Sequence, residues 1–186
     1  MLVNYIIDVL EMDENLSAND REVIRYGLEM FLGTLLGLVA TLIVGICFGS
    51  LVSGIVLWIL IFPLRKNSGG YHAKTKLSCF FISITIEIVS FALFYQKELS
   101  KTCYMIIALL CMCYIYRKSP VGTANKQLDE IEKIMYRKRA RWIVITEFIL
   151  FICALFIGMS KLSRLIVMAF FIVSLALLQG HIDLQK

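Results

Sequence analysis

Charge is scarce in this chain, and so is proline. Asp, Glu, Lys and Arg make up 18% of the 186 residues, and only two prolines and two histidines occur. Residues 30–64 hold no charged side chain, and residues 142–160 and 165–182 hold only Glu147. A helix of a water-soluble protein needs a polar face, and these stretches offer none. What fills them is apolar: the AVILMFWYC class supplies 59% of the chain, against ~45–50% in an average soluble domain with glycine counted. A run of ~20 apolar residues matches the hydrocarbon thickness of a bilayer. The missing charge therefore excludes a water-soluble globular fold. It leaves an all-α fold, a polytopic integral membrane helical bundle.

A basic n-region is also lacking, so the N-terminus does not read as a cleaved secretory signal. It carries Asp8, Glu11, Asp13 and Glu14 instead. Residues 1–11 put Asn4, Asp8 and Glu11 on one helical face and Leu2, Val3, Ile6, Ile7 and Leu10 on the other. That pattern suits an amphipathic N-terminal helix lying in the membrane interface, or one packed on the protein's own cytoplasmic surface. Ser17 or Asn19 can cap the helix that follows, with Asp20 or Glu22 three residues on.

Hydropathy marks candidate spans at roughly 29–47, 50–64, 78–95, 102–116, 142–159 and 164–180. The expectation is about four to six transmembrane or re-entrant segments, because the first pair is short. Only 35 residues separate Glu29 from Arg65, and two full crossings want ~40. Either the first helix starts before Glu29, or the region near Gly45–Gly54 forms a partly re-entrant hairpin. With six crossings and the N-terminus inside, fifteen Lys and Arg lie inside and only Lys97, Lys101, Lys161 and Arg164 outside. That asymmetry puts 65–77 and 117–141 in the cytoplasm. No repeat or linker divides the chain. A single domain over 1–186 is expected, with an interface region 1–28, a first hydrophobic hairpin 29–64, a segment 65–79 and a basic cytoplasmic loop 117–141.

Five of the six cysteines, Cys47, Cys103, Cys111, Cys113 and Cys153, sit in apolar runs, where Cys is a small inert hydrophobe. Cys111 and Cys113 point to nearly opposite sides of a helix and cannot form a metal pair. No metal, cofactor or disulfide framework is expected. Cys79 differs. It follows Ser78 near the start of an apolar helix, just after Lys74 and Lys76. Nearby cations and a helix N-terminus favour the ionised, nucleophilic form of a thiol. His72, seven residues earlier, is the one histidine close in sequence; His181 is near the C-terminus. On an unbroken helix, seven residues separate two side chains by ~10.5 Å along the axis, too far for the ~2.6–3.2 Å contact of a working pair. A His72–Cys79 dyad thus requires the backbone to bend between the two; Gly69-Gly70 permits a turn just before His72, and Ser78 or Thr75 can cap a new helix. The plain alternative is a packing cysteine beside an interfacial histidine.

The segment Arg65…Gly69-Gly70-Tyr71-His72-Ala73…Cys79 resembles the signature of the accessory gene regulator B (AgrB) family. The likeness continues through Ser119-Pro120, Asn125-Lys126-Gln127-Leu128 and Lys133, Arg137, Lys138, Arg139 and Arg141. Gln127 stands where many members have proline. The resemblance implies a cysteine endopeptidase of bacterial quorum sensing. Such a protein cleaves an AgrD-like propeptide and passes the acyl-enzyme thioester to a thiol or hydroxyl of the peptide, giving a cyclic thiolactone or lactone. It further implies Cys79 as nucleophile, His72 as base and later acid, and Arg65 and Gly70 as functionally sensitive positions. Lys74, Lys76 and Lys126 would attract an acidic peptide tail, unless they serve only as topology signals. The implied setting is a multi-pass protein of the bacterial cell membrane, with its site at the cytoplasmic face. A homodimer and the lipid bilayer are expected partners, and no nucleic acid. Glu87 and Glu147 are intramembrane acids without an assigned role. The competing reading is a non-catalytic transporter or a peptide-docking scaffold.

Overall fold

The computed structural model describes residues 18–69, 76–95, 99–122 and 129–183. The amphipathic stretch 1–11 lies outside them. Six helices run through the described residues: α1 (Ala18–Cys47), α2 (Leu51–Ser68), α3 (Lys76–Ser90), α4 (Lys101–Lys118), α5 (Glu130–Ile157) and α6 (Ser160–Asp183). Helix α3 continues as a π-helical turn, Phe91–Tyr95. Five stretches are long and apolar enough to cross a membrane: Val23–Cys47, Leu51–Ser68, Ser78–Tyr95, Glu130–Ile157 and Ser160–Ile182. Helix α4 has Lys101 at one end and Arg117 and Lys118 at the other, and is not among them. Contacts divide the chain into two units, Met1–Ala40 and Thr41–Lys186, with the border inside α1.

The short first pair has a simple resolution. Helix α1 starts before Glu29, directly after Ser17, with Asp20 in its first turn. Its early charges are partly neutralised, since Arg25 pairs with Glu29 at 3.6 Å, an i,i+4 arrangement. Only Phe48, Gly49 and Ser50 then separate α1 from α2. Gly49 takes the left-handed φ of +85° that the reversal needs, and Ser50 caps α2 by accepting from the Ser53 amide at 3.1 Å. A Cβ on Gly45 would come within 2.8 Å of the Gly54 Cα, and one on Gly54 within 3.0 Å of the Thr41 carbonyl. Two glycines thus let the backbones touch, the small-residue device that joins helices in lipid.

Helix α6 is the hub of the second unit, touching α2, α3, α4, α5 and the π-helical turn. Leu165 through Phe170 are all buried, hydrophobic on every side as a central helix must be. The peripheral helices turn apolar residues outward, Leu110 and Phe156 among them, as lipid-facing positions do. In the π-helical turn the shifted hydrogen-bond register frees carbonyls. Tyr104 Oη donates to Phe94 O at 3.2 Å, and Arg164 Nη1 donates to Tyr95 O at 3.1 Å.

A candidate thiol site at the C-terminal end of helix α2

Cys79 is the fourth residue of α3 and is partly buried. Arg65 lies in the last turn of α2. The two side chains are close enough for the guanidinium charge to act on the sulfur. Arg65 also folds back along its own helix end: Nη1 donates to Gly69 O at 2.9 Å, while the Gly69 amide donates to Arg65 O at 3.1 Å. Arg65 therefore braces the end of α2.

Gly69 is the pivot. Its φ of +69° and ψ of −145° fall in a region essentially reserved for glycine. It forms an isolated parallel bridge with Val121, just beyond α4. The Val121 amide donates to Ser68 O at 2.9 Å, and a Cβ on Gly69 would collide with the Val121 carbonyl oxygen. The chain leaving α4 is thus strapped across the end of α2, next to the stretch leading to Cys79. Ser68 and Ser119 are buried at this strap, and their hydroxyls have no partner among the described residues.

Of the residues singled out from sequence, Arg65 and Cys79 fall among the described ones, within electrostatic reach of each other. Gly70, His72, Lys74 and Lys126 lie outside the described residues, and so does the side chain of Lys76, the first residue of α3. Glu87 sits on the buried face of α3, and its Oε1 has no partner among the described residues. Glu147 is equally buried on α5, with Oε2 in the same condition. Sequence reasoning missed the Gly69–Val121 strap. Its traces were Gly69-Gly70 and Ser119-Pro120, in a chain with only two prolines, and nothing in the pattern says that the two meet.

The fold and site define a multi-pass helical membrane protein, with an arginine at the end of one span and a partly buried thiol at the start of the next. The family model for accessory gene regulator B matches residues 2–178, and the chain belongs to that family, AgrB. It is similar to protein FsrB of Enterococcus faecalis, at 25% identity over 181 residues, covering 96% of this chain and 73% of that one. It is also similar to accessory gene regulator protein B of Staphylococcus aureus, at 30% identity over 99 residues, covering 53% and 51% respectively. No solved structure gives a significant match.

Proposed function

We propose that this chain is a membrane-embedded cysteine endopeptidase that cleaves and cyclises an AgrD-like propeptide. The observation that carries the reading is the placing of Cys79, partly buried in the first turn of α3 and within electrostatic reach of Arg65. A guanidinium and the positive end of a helix both stabilise the charge that an attacking sulfur carries. In the reaction, Cys79 Sγ bonds to the carbonyl carbon of the scissile peptide. His72 takes the thiol proton and then gives it to the departing amine, leaving a thioester on Cys79. A thiol or hydroxyl of the same peptide attacks that carbonyl, the Cys79 thiol leaves, and a ring closes. Exchange between two thiols is nearly thermoneutral, so ring closure depends on keeping water from the acyl-enzyme. A partly buried sulfur in an apolar helix serves that end, and tethering the internal nucleophile raises its effective concentration.

Arg65, through its bond to the Gly69 carbonyl, steadies the start of the segment that carries Gly70 and His72. Lys74, Lys76 and Lys126 attract the acidic part of the peptide. The excess of Lys and Arg in 65–77 and 117–141 assigns this end to the cytoplasmic face of a bacterial cell membrane. A homodimer gives so small a protein room to enclose a peptide. Co-expressing a His72→Ala and a Cys79→Ala chain tests whether the dyad is shared: restored cleavage means that it is.

Reconstitution with an AgrD-like precursor, followed by mass spectrometry of the fragments, tests the function. Wild type should release both fragments and Cys79→Ala neither; cleavage by Cys79→Ala would overturn the reading. Transport or docking without chemistry is the competing reading, favoured by Glu87 and Glu147, acids buried within membrane spans. Under it, binding or movement of the peptide would survive Cys79→Ala unchanged.

A further inference from the structure

Helix α5 is far longer than its apolar stretch. Its 28 residues extend ~42 Å, and a hydrocarbon layer of ~30 Å uses only about 20 of them. The charge-poor run of this helix begins at Trp142, and the hydrocarbon ends there. Arg137, Lys138 and Arg141 therefore sit at headgroup depth, crowded into little more than one helical turn, where like charges repel. Nearby acids do not relieve them. Glu130 is paired with Lys133 at 3.6 Å, and Glu132 accepts from the Asp129 amide in the capping box at the helix start. Among the described residues no carboxylate pairs with Arg137, Lys138 or Arg141.

These three cations line a cavity of about 400 Å³ between α5 and the end of α4. Tyr116 supplies the α4 wall: the Arg141 guanidinium lies 4.5 Å from its ring centroid, and Nε donates to its carbonyl oxygen at 3.3 Å. Trp142, 64% exposed, and Ile145 continue the lining toward the hydrocarbon. The cavity is cationic in its middle, with Trp142 and Ile145 on the hydrocarbon side and Ile134 at the opposite end.

We propose that this cavity is a binding site for one anionic phospholipid, whose phosphodiester is held by Arg137, Lys138 and Arg141 while its chain runs down past Trp142 and Ile145. The amphiphilic order of the lining favours a lipid over an acidic peptide, which needs no aliphatic floor at hydrocarbon depth. Basic pockets between membrane helices on the cytoplasmic side commonly hold anionic headgroups. The assignment stands independently of any peptidase chemistry.

The test is native mass spectrometry of the full chain released from nanodiscs of mixed phosphatidylglycerol and phosphatidylcholine. Wild type should retain phosphatidylglycerol preferentially. The double variant Arg137→Gln/Lys138→Gln, which leaves the Arg141–Tyr116 contact in place, should lose about 30-fold in that preference at about 1 kcal/mol for each cation. Lys133→Gln, outside the cavity, should retain it. Circular dichroism confirms that each variant stays helical; should the double variant unfold, Arg137→Gln alone must give about a fivefold loss. Equal retention of both lipids by wild type would overturn the proposal, as would an undiminished preference in the variants. A glutamate-rich peptide that binds wild type through Arg137 and Lys138, where phosphatidylglycerol does not, would overturn it in favour of a peptide site.

Discussion

The two ends of α2 use the same materials to opposite ends. At its N-terminus, polar groups are consumed by the structure. Ser50 caps the helix, Ser53 Oγ donates to Tyr95 Oη at 3.0 Å, and Arg164 satisfies the Tyr95 carbonyl. At its C-terminus, Arg65 meets a backbone carbonyl and also acts on the Cys79 sulfur, while a strap from beyond α4 fixes Gly69. One end is a closed hinge. The other is braced by an arginine and a strap, with Cys79 on the helix that follows.

The largest effect expected at either end is on the thiol. Cys79→Ala should reduce precursor cleavage to background, read by mass spectrometry of the fragments, while α-helical circular dichroism stays unchanged. Next comes the pivot. Gly69→Ala meets both a glycine-only conformation and the Val121 carbonyl, so cleavage should fall sharply and thermal stability by more than ~1–3 kcal/mol. Gly49→Ala sharpens the contrast. Gly49 also has a positive φ, but a Cβ there finds open space, so a loss of only ~1 kcal/mol is expected and cleavage should be retained. Equal losses from the two glycine changes would break the distinction between the ends.

Arg65→Lys keeps the charge but loses the guanidinium donor to Gly69 O. It should lower kcat about 10–100-fold, as for a lost hydrogen bond to a charged group, with a smaller change in KM. The smallest effect belongs to Tyr95→Phe. It removes one of two acceptors for the Ser53 hydroxyl, the other being Ser50 Oγ at 2.9 Å, and should cost no more than ~1 kcal/mol in thermal unfolding without touching cleavage. A cleavage defect in Tyr95→Phe would show that the two ends are not separable.

Much of the fold was legible because bilayer thickness and charge impose a coarse pattern. Each of the six apolar segments lies within a helix, overrunning an end by at most two residues. What hydropathy missed was helix outside the apolar layer. Helix α5 begins at Glu130, a dozen residues before the apolar run at Trp142, because Asp129 and Glu132 form a capping box on a polar stretch. The site was half legible. Cys79 stood out through its neighbours along the chain, and Arg65 through family resemblance. The contact of Gly69 with Val121 joins residues 52 apart, and that of Arg164 with Tyr95 joins residues 69 apart. Neither leaves a periodic trace, since pairing at that distance is decided by how the helices pack around α6.

The most direct measurement is intact-protein mass spectrometry of the reconstituted chain, quenched in acid during turnover with an AgrD-like precursor. The account predicts a hydroxylamine-labile adduct with the mass of the N-terminal peptide fragment, mapped to Cys79 and missing from Cys79→Ala. Turnover with the adduct on another cysteine, or with no covalent species at any time point, would contradict it.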